Sequence, residues 1–374
     1  MMEDFRYSRV IVTGGAGFIG SAVVRALIGR TAASVITVDQ LTYASSQETL
    51  AAVEGHPRHS FERINICRAD ALGPLFARYR PDAVLHLAAE THVDRSIGTP
   101  WPFVETNVNG TYVLLEAARA YWSALDAGSR ARFRFLHVST DEVYGSLGPT
   151  GAFTEASPIR PNSPYSASKA AADHLVRAWH QTYGLPVLTT HCSNNFGPFQ
   201  HPEKLIPVLI FNAVRGHPLP VYGTGDNVRD WLFVGDHVDA LLTVVNAGRL
   251  GETYDIGAGT ELSTLAMAKA VCTILDERLP DSPHRPHADL IRFVADRPGH
   301  DKRYAIDAAK IRAELGWRPR RDFRDALGET VAWYLQNTAW CTRMRQRVPL
   351  TAVGDDGRFD ANPLWRAPAA FGPR

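Results

Sequence analysis

A glycine-rich turn between a strand and a helix constrains the fold of this chain more than any other stretch. Residues 10–13 (VIVT) form a compact apolar strand, and residues 21–29 follow as a candidate helix. The glycines between them match both G-x-G-x-x-G and G-x-x-G-x-x-G, and they are Gly14, Gly15, Gly17 and Gly20. Glycines in this context allow a tight turn and a close approach of a pyrophosphate to the helix N-terminus. The stretch therefore predicts the first βα unit of a dinucleotide-binding sheet.

The second predicted strand, residues 34–38, ends in an acidic residue. Asp39 follows Gly20 by 19 residues, and at this spacing a carboxylate can accept hydrogen bonds from an adenosine ribose 2′-hydroxyl. The same carboxylate disfavours a 2′-phosphate, so NAD is predicted over NADP. A glycine turn beside an unrelated surface aspartate is the alternative, and the agreement of strand, turn, helix and acid argues against it.

Strands and helices continue to alternate along the chain. Further candidate strands lie at 60–64, 83–88, 135–139 and 187–190, and candidate helices at 71–79, 103–121 and 165–183. Such alternation predicts an α/β fold, a Rossmann doubly wound parallel sheet with a smaller C-terminal substrate-binding lobe. We assign residues 1–192 to the NAD-binding domain, with a return at about 229–258. Residues 193–228 and 259–340 form the smaller lobe, and residues 341–374 an irregular, proline-rich tail.

Composition excludes several classes of function. The formal net charge of +1 gives no basic field that would indicate nucleic acid or an anionic membrane. The cysteines are scattered without C-x-x-C spacing, so neither a zinc site nor a disulfide framework is indicated, and no metal is expected. Free cysteines, the absence of a signal-peptide core and the absence of a long apolar run predict a cytoplasmic protein.

Two motifs in the middle of the chain carry candidate chemistry. The predicted strand 135–139 leads into Thr140, Asp141 and Glu142, at the strand end where an α/β sheet places its ligands. About twenty residues later, Tyr165 and Lys169 open an alanine-rich helix and share one of its faces. A neighbouring positive charge favours a phenolate, so this tyrosine is a candidate base near neutral pH. Taken alone, the Y-x-x-x-K spacing fits an ordinary surface pair equally well.

Two long helices suggest self-association. The predicted helices 103–121 and 165–183 are apolar over broad faces and rich in small residues, which allow close packing. They could serve the core alone, but we favour a second role as the contact surface of a homodimer.

Together these motifs resemble the extended short-chain dehydrogenase/reductases and, more narrowly, the dTDP-glucose 4,6-dehydratase family. The resemblance covers roughly residues 8 to 340, and the paired acids after Thr140 are its most discriminating part. Its further segments are HLAAETHVDRSI (86–97), ETNVNGTYVLLEAAR (105–119), VSTDEVYG (138–145), YSASK (165–169), CSNNFGPFQHPEKLIP (192–207), RDWLFVGDH (229–237) and DRPGHDKRYAID (296–307).

The resemblance implies a mechanism for a lyase acting on dTDP-glucose with NAD. Tyr165, helped by Lys169 and with Thr140 orienting the hydroxyl, would take the proton from the sugar 4-hydroxyl while the C4 hydride passes to NAD. Glu142 would then remove the C5 proton, and Asp141, kept protonated by burial or by its acidic neighbour, would protonate the departing 6-hydroxyl. The hydride would finally return to C6.

The resemblance also implies the binding residues. For the cofactor they are Gly14, Gly17, Phe18, Ile19, Gly20, Asp39, Gln40, Leu41, Thr42, Asn65, Ile66, Leu87, Ala88, Ala89, Thr106, Tyr165, Lys169 and Asn195. For the nucleotide sugar they are Thr91, Thr140, Asn194, Lys204, Leu205, Pro220, Tyr222, Arg229, Thr264, Arg297 and His300. Arg229 and Arg297 are the candidates for binding the diphosphate, because arginine forms bidentate hydrogen bonds to phosphate.

Some positions depart from the family pattern, and other functions stay open. Asn65 stands where the family usually has aspartate, Thr264 where it has asparagine, and His191 replaces a usual asparagine. The alternatives are an NAD-dependent nucleotide-sugar 4-epimerase, a dehydratase of a UDP- or CDP-hexose, and a catalytically silent dinucleotide-binding regulator. The paired acids argue against the epimerase, since 4-epimerisation needs no acid–base pair at C5 and C6. The intact tyrosine and lysine argue against the silent regulator.

Overall fold

The computed structural model describes residues 5–296 and 299–347. Its strands are β1 (Arg9–Thr13), β2 (Ser34–Val38), β3 (His59–Glu62), β4 (Ala83–His86), β5 (Arg134–Thr140), β6 (Val187–Cys192), β7 (Asn194–Phe196), β8 (Leu219–Tyr222), β9 (Val228–Phe233), β10 (Thr253–Ile256), β11 (Glu261–Ser263) and β12 (Ile291–Val294). Its α-helices are α1 (Phe18–Arg30), α2 (Ala69–Tyr79), α3 (Val93–Gly98), α4 (Trp101–Phe103), α5 (Thr111–Ser123), α6 (Ala127–Arg132), α7 (Pro164–Tyr183), α8 (Leu205–Val214), α9 (Val234–Ala247), α10 (Thr264–Arg278), α11 (Ala309–Leu315), α12 (Phe323–Gln336) and α13 (Thr338–Gln346). Short 3₁₀ helices lie at Gln47–Val53, Asp141–Tyr144 and His287–Leu290.

Seven strands form one central sheet in the order β10-β6-β5-β4-β1-β2-β3. All six neighbouring pairs run parallel, so the predicted doubly wound parallel sheet is confirmed. The strand order reverses between β1 and β4, and ligands of such sheets bind in the crevice beyond the strand ends at this point. The glycine turn after β1 and the polar residues after β4 and β5 lie on this edge.

Side-chain alternation along the strands gives the sheet a core on each face. On β1, Val10 and Val12 belong to one buried cluster, together with residues of α1 and α9. Ile11 belongs to a second cluster with residues of α2, α5 and α7. Because helices cover both faces, the inner strands are apolar almost throughout, as expected for a parallel sheet.

Two smaller sheets follow, in the orders β11-β9-β7 and β12-β8. They pack with α8, α10, α12 and α13 around a third buried cluster. We propose that this cluster marks the predicted substrate-binding lobe. The segment around 229 pairs with β7 and β11. In contrast, α9 packs on α1, and β10 completes the central sheet. The chain therefore returns to the large sheet at α9.

Two predicted elements differ from those observed. The predicted helix 103–121 begins as α4 and passes through a π-helical stretch, Val104–Gly110, before α5; such stretches often lie at functional sites. The prediction that the chain is irregular from residue 341 is wrong as far as Gln346, because α13 buries Trp340, Cys341 and Met344 against the third cluster. Residues 348–374 of the predicted tail lie outside the described residues. No described helix is long and apolar enough to span a bilayer.

Candidate active site

The strand β5 delivers the paired acids to the carboxyl edge of the sheet. Thr140 ends the strand and caps the 3₁₀ turn Asp141–Tyr144, because its hydroxyl accepts the backbone N–H of Glu142 at 3.3 Å. The same hydroxyl donates to Asp141 Oδ1 at 3.3 Å. Asp141 is only 1% exposed, and its Oδ2 has no hydrogen-bond partner among the described residues. The turn therefore fixes one fully buried carboxyl beside a less buried one.

The environment of Asp141 favours its neutral form. Burial raises its pKa well above the ordinary value, and the negative charges of Glu142 and Asp230 raise it further. Arg229 and the hydrogen bond from Thr140 oppose this only in part. A carboxyl in this environment can donate a proton, which agrees in direction with the sequence expectation.

Helix α7 brings Tyr165 and Lys169 to the same strand end. The helix begins cleanly because Ser163 and Ser166 form a reciprocal capping box and Pro164 occupies its first position. Tyr165 is 8% exposed, and a hydrogen bond links it to Thr140. The buried Lys169 donates from Nζ to the carbonyl oxygen of Val138 at 2.9 Å.

The protonation of Tyr165 differs from the expectation. Burial and the negative charge of Glu142 raise its pKa well above 10, whereas the sequence suggested a phenolate favoured by Lys169. Burial also lowers the pKa of Lys169. These surroundings favour the neutral form of the tyrosine, and positive charge placed near it would favour the phenolate.

The glycine turn has the tight packing that dinucleotide binding requires. Gly14 has φ +68°, and a Cβ there would lie 2.7 Å from the backbone nitrogen of Ala88. A Cβ on Gly20 would lie 2.1 Å from the Gly14 carbonyl oxygen. Helix α1 begins at Phe18 without a side-chain cap, so the N–H groups of its first turn, including that of Ile19, are available to a phosphate.

Asp39 holds together the loops beside the glycine turn, where the adenosine end of a dinucleotide is expected to lie. Its carboxylate accepts the N–H of Ala16 at 3.0 Å, the N–H of Leu41 at 2.8 Å and the hydroxyl of Ser45 at 2.9 Å. Burial raises its pKa. Beside it opens a polar cavity of about 580 Å³, whose lining includes Leu41, Thr42, Tyr43, Ser46, Arg63 and Arg347. The turn, the uncapped helix and this carboxylate fit a dinucleotide.

The other predicted cofactor residues follow strands of the sheet or lie in the helices and loops beside it. Ala88, next to Leu87 and Ala89, donates its N–H to the Thr13 hydroxyl at 3.3 Å. Asn65 accepts the N–H of Cys67 at 2.8 Å, beside the buried Ile66. Thr106 lies in the π-helical stretch, and Gln40 follows Asp39. Asn195 is committed elsewhere, since its amide oxygen lies 2.9 Å from Nδ1 of the buried His237.

The substrate-site candidates lie on several loops and strands, and two pairs of them are in contact. Lys204, which precedes Leu205 at the start of α8, donates to the Thr91 carbonyl oxygen at 3.1 Å. Asn194 has a buried amide oxygen with no hydrogen-bond partner among the described residues, so it is available to a ligand. Tyr222, which follows Pro220 on β8, has its ring 6.0 Å from that of His300.

The predicted diphosphate residues are placed less simply. Arg229 is buried, donates to the carbonyl oxygens of Val228 and Asp301 at 2.8 and 3.0 Å, and stacks over Tyr304 at 4.2 Å. A diphosphate would have to compete with these carbonyls. Thr264 donates to the Asn227 carbonyl oxygen at 3.3 Å. Arg297 lies outside the described residues.

Sequence reasoning missed several residues around the acids. Asp230 is buried and raises the pKa of Asp141. Tyr304 donates its hydroxyl to Asp301, and burial together with the charge of Glu142 raises the pKa of Tyr304. Both belong to segments carrying the resemblance, but their approach to β5 depends on the packing of the smaller sheets. No metal-binding group of three or more side chains was found among the described residues.

Comparison with known proteins gives a consistent result. The chain matches the family described as GDP-mannose 4,6 dehydratase over residues 11–330. It is 56% identical over 335 residues to a dTDP-glucose 4,6-dehydratase of Neisseria meningitidis serogroup B, covering 89% of this chain and 94% of that protein. It is 54% identical over 346 residues to dTDP-glucose 4,6-dehydratase 1 of Escherichia coli K12, covering 90% and 95%. The crystal structure of DesIV, a dTDP-glucose 4,6-dehydratase from Streptomyces venezuelae with NAD and TYD bound, matches with a TM-score of 0.81 and 45% identity, covering 90% of this chain and 99% of that one.

Proposed function

The chain belongs to the GDP-mannose 4,6 dehydratase family, and from this membership and the geometry of the site we propose that it is a dTDP-glucose 4,6-dehydratase. This hydro-lyase converts dTDP-glucose to dTDP-4-keto-6-deoxyglucose, in agreement with the resemblance deduced from the motifs. Relatives of 54–56% identity that cover about nine tenths of the chain carry this name. The preference for a dTDP sugar rests on these relatives.

The cofactor is NAD, held by the glycine turn, by the first turn of α1 and by Asp39. When bound, NAD would supply the redox chemistry, namely acceptance of the hydride from C4 of the sugar and its return to C6, so that it would end as it began. The carboxylate of Asp39 suits an unphosphorylated adenosine ribose, because a 2′-phosphate would bring like charges together.

The first chemical task of the protein is to remove the proton of the 4-hydroxyl. Tyr165 is the base in this proposal, and Thr140, which already hydrogen-bonds to it, orients the sugar hydroxyl. Lys169, one helical turn away, supplies positive charge that favours the phenolate. Burial of all three groups excludes water and strengthens these interactions.

The second task is the elimination of water across C5 and C6. The 4-keto group acidifies the C5–H bond, and Glu142 takes that proton. Asp141 gives its proton to the 6-hydroxyl as the C6–O bond breaks, so one water leaves. The observation that carries this assignment is the burial of the Asp141 carboxyl beside Glu142, whose carboxylate can serve as the base, and these surroundings raise the pKa of Asp141.

The remaining contacts are assigned to substrate binding. Asn194, whose amide oxygen has no hydrogen-bond partner within residues 5–296 and 299–347, and Lys204 with Thr91 would hold the sugar. Arg229 and Arg297 are proposed to bind the diphosphate. Tyr222, with Pro220, and His300 form the wall of the nucleotide site together with Leu205 and Thr264.

We further propose that the enzyme is a cytoplasmic homodimer. Exposed apolar side chains of α4, α5 and α7 support the dimer: Trp101 is 67% exposed, and Tyr112 and Tyr183 nearly half exposed. Rings of Tyr112, Trp179 and Tyr183 contact one another in sequence, which joins α5 to α7. An aromatic surface of this kind is typical of a protein contact. Four unpaired cysteines suit a reducing compartment.

A direct assay tests the proposed function. The purified protein is incubated with dTDP-glucose without added reductant, and the product is analysed by alkali-induced absorbance and by mass. We expect a 4-keto product that has lost one water. An unchanged mass with a galactose-configured sugar would instead indicate an epimerase. An unaltered sugar, with UDP- or CDP-glucose converted instead, would overturn the nucleotide assignment.

A further inference from the structure

A buried imidazole joins the three elements that carry the proposed catalytic residues. His191, on β6, is 4% exposed. Its Nε2 lies 3.1 Å from Asp173 Oδ2, and its Nδ1 lies 2.6 Å from the Tyr144 hydroxyl and 3.4 Å from Asp255 Oδ1. Tyr144 donates to Asp255 Oδ1 at 2.8 Å. We call these four residues the His191 network.

The network contacts each element that carries a catalytic group. Asp173 lies one turn after Lys169 on α7, and it accepts the hydroxyl of Ser139 on β5 at 3.0 Å. Tyr144 closes the 3₁₀ turn that carries the paired acids. Lys169 donates to the carbonyl oxygen of Val138, the neighbour of Ser139. Asp173 and Lys169 are therefore bonded to neighbouring residues of β5, and the charge of Asp173 raises the pKa of Lys169 against the larger, opposite effect of burial.

The charges in this region balance in pairs. Two carboxylates raise the pKa of His191 to about 10 despite its burial, so it is an imidazolium near neutral pH. That imidazolium in turn holds the pKa of Asp173 well below its usual range. With Lys169, the region holds two positive groups and, in Asp173 and Asp255, two carboxylates. Such balance matters because an uncompensated buried charge costs folding free energy and shifts the pKa values of neighbouring groups.

Other titratable groups face the network. On β5, His137 lies 3.1 Å from Asp173 Oδ1, and burial lowers its pKa to about 4, so it is neutral. Glu155 accepts the backbone N–H of Asp255 at 2.9 Å, and burial raises its pKa. The thiol of Cys192 is also buried with a raised pKa. None of these provides the second positive charge, which leaves His191 to supply it.

We propose that His191 is a positioning residue that neutralises Asp173 and Asp255, so that the charge of Lys169 acts on Tyr165 instead of being cancelled by Asp173. This inference rests on the proposed function, because it concerns the base of that reaction. Without the imidazolium, two carboxylates would face one ammonium group. The excess negative charge would favour protonated Tyr165 and weaken it as a base.

Three variants separate the charge of His191 from its packing. His191→Asn removes the cation and leaves an excess negative charge. Asp255→Asn removes one carboxylate and leaves an excess positive charge. The double variant removes both and restores neutrality while changing the packing at both positions. The readouts are the pH dependence of kcat with dTDP-glucose, the KM, and the circular dichroism spectrum that reports folding.

We expect the acidic limb of kcat to move up by about one pH unit in His191→Asn, with a roughly tenfold lower kcat on that limb. It should move down in Asp255→Asn and return to the wild-type position in the double variant. KM should change little, because the network does not include the proposed sugar-binding residues. The proposal would be overturned if the acidic limb of kcat stayed at the wild-type pH in all active variants. It would also be overturned if the limb moved in the same direction in both single variants.

Folding and function failures remain distinguishable. If His191→Asn does not fold, Asp255→Asn and the double variant decide the question. The proposal requires that adding His191→Asn to Asp255→Asn reverses the downward shift of the acidic limb of kcat. A double variant that keeps the downward shift contradicts it. Wild-type protein without dehydratase activity on any nucleotide sugar would refute the proposed function, whereas an active wild type with unshifted variants refutes only this inference.

Discussion

Glu90 gives a prediction whose size follows from its surroundings. It follows β4 in the loop between the cofactor groove and the predicted sugar-binding Thr91. The side chain of Asn107 fixes its backbone, accepting the Glu90 N–H at 2.8 Å and donating to its carbonyl oxygen at 3.0 Å. Burial, with the nearby charge of Glu203, raises the pKa of the Glu90 carboxyl to about 7. Glu90→Gln keeps the shape and imitates the protonated form.

The sign and the magnitude follow from linkage between protonation and folding. The pKa is higher in the folded chain, so the folded state binds the proton more tightly than the unfolded state. Below about pH 4.5 both states are protonated, and Glu90 costs nothing. The cost grows as the pH rises from 4.5 and is complete above 7, where the full shift corresponds to about 3 kcal/mol. Because the side chain is only partly buried, screening reduces this to about 2–3 kcal/mol.

Urea denaturation at two pH values tests this prediction. At pH 8 we expect Glu90→Gln to raise the free energy of unfolding by about 2–3 kcal/mol, and at pH 5 by less than about 1 kcal/mol. Protein and NAD concentrations must be the same in all samples, because binding and association shift apparent stability. The control is Glu54→Gln, the same substitution at an exposed carboxyl. Equal effects of Glu90→Gln at both pH values would refute the reasoning.

Three further predictions concern the reaction, the cofactor and the assembly. Glu142→Gln should lower kcat by about 10²–10⁴ and abolish solvent exchange at C5, measured by mass spectrometry in D₂O; retained exchange would assign the base elsewhere. Gly20→Ala should weaken NAD binding at least tenfold by calorimetry, because its Cβ would lie 2.1 Å from a backbone oxygen of the glycine turn, whereas Gly29→Ala, in the same helix with open space, should bind normally. Trp101→Glu should dissociate the homodimer in sedimentation experiments, and Leu250→Glu, at another exposed apolar position, should not; an unchanged mass for the first variant would exclude this surface.

The fold was predictable because its signals are local and repeated. Each inner strand is a short apolar run, and helices separate successive strands along most of the sheet, so parallel order and helical coverage follow from chain connectivity. Helix α7 was placed to within one residue, since Pro164 at its start and Gly184 after its end punctuate it. The last helix was missed, because its buried residues become apolar contacts only against a distant cluster.

The candidate site was predictable in position and less so in electrostatics. The strand end of β5 and the start of α7 bring Thr140, Tyr165 and Lys169 close together, and their catalytic roles stay a proposal. The motif predicted a phenolate favoured by Lys169, whereas burial and the charge of Glu142 raise the pKa of Tyr165. Both causes, the burial of Tyr165 and the nearby charge of Glu142, depend on tertiary packing. Arg229 likewise donates to the carbonyl oxygen of Asp301, a contact that no spacing rule in the sequence predicts.

The same electrostatic coupling can order the steps of the proposed reaction. The charge of Glu142 raises the pKa of both Asp141 and Tyr165. While Glu142 is ionised, Asp141 therefore keeps its proton and cannot release it prematurely. When Glu142 takes the C5 proton, its negative charge disappears, and one of the causes that hold the Asp141 pKa high disappears with it. Asp141 becomes a stronger acid as the 6-hydroxyl departs, so the adjacent placement of the two carboxyls links proton removal at C5 to proton delivery at C6.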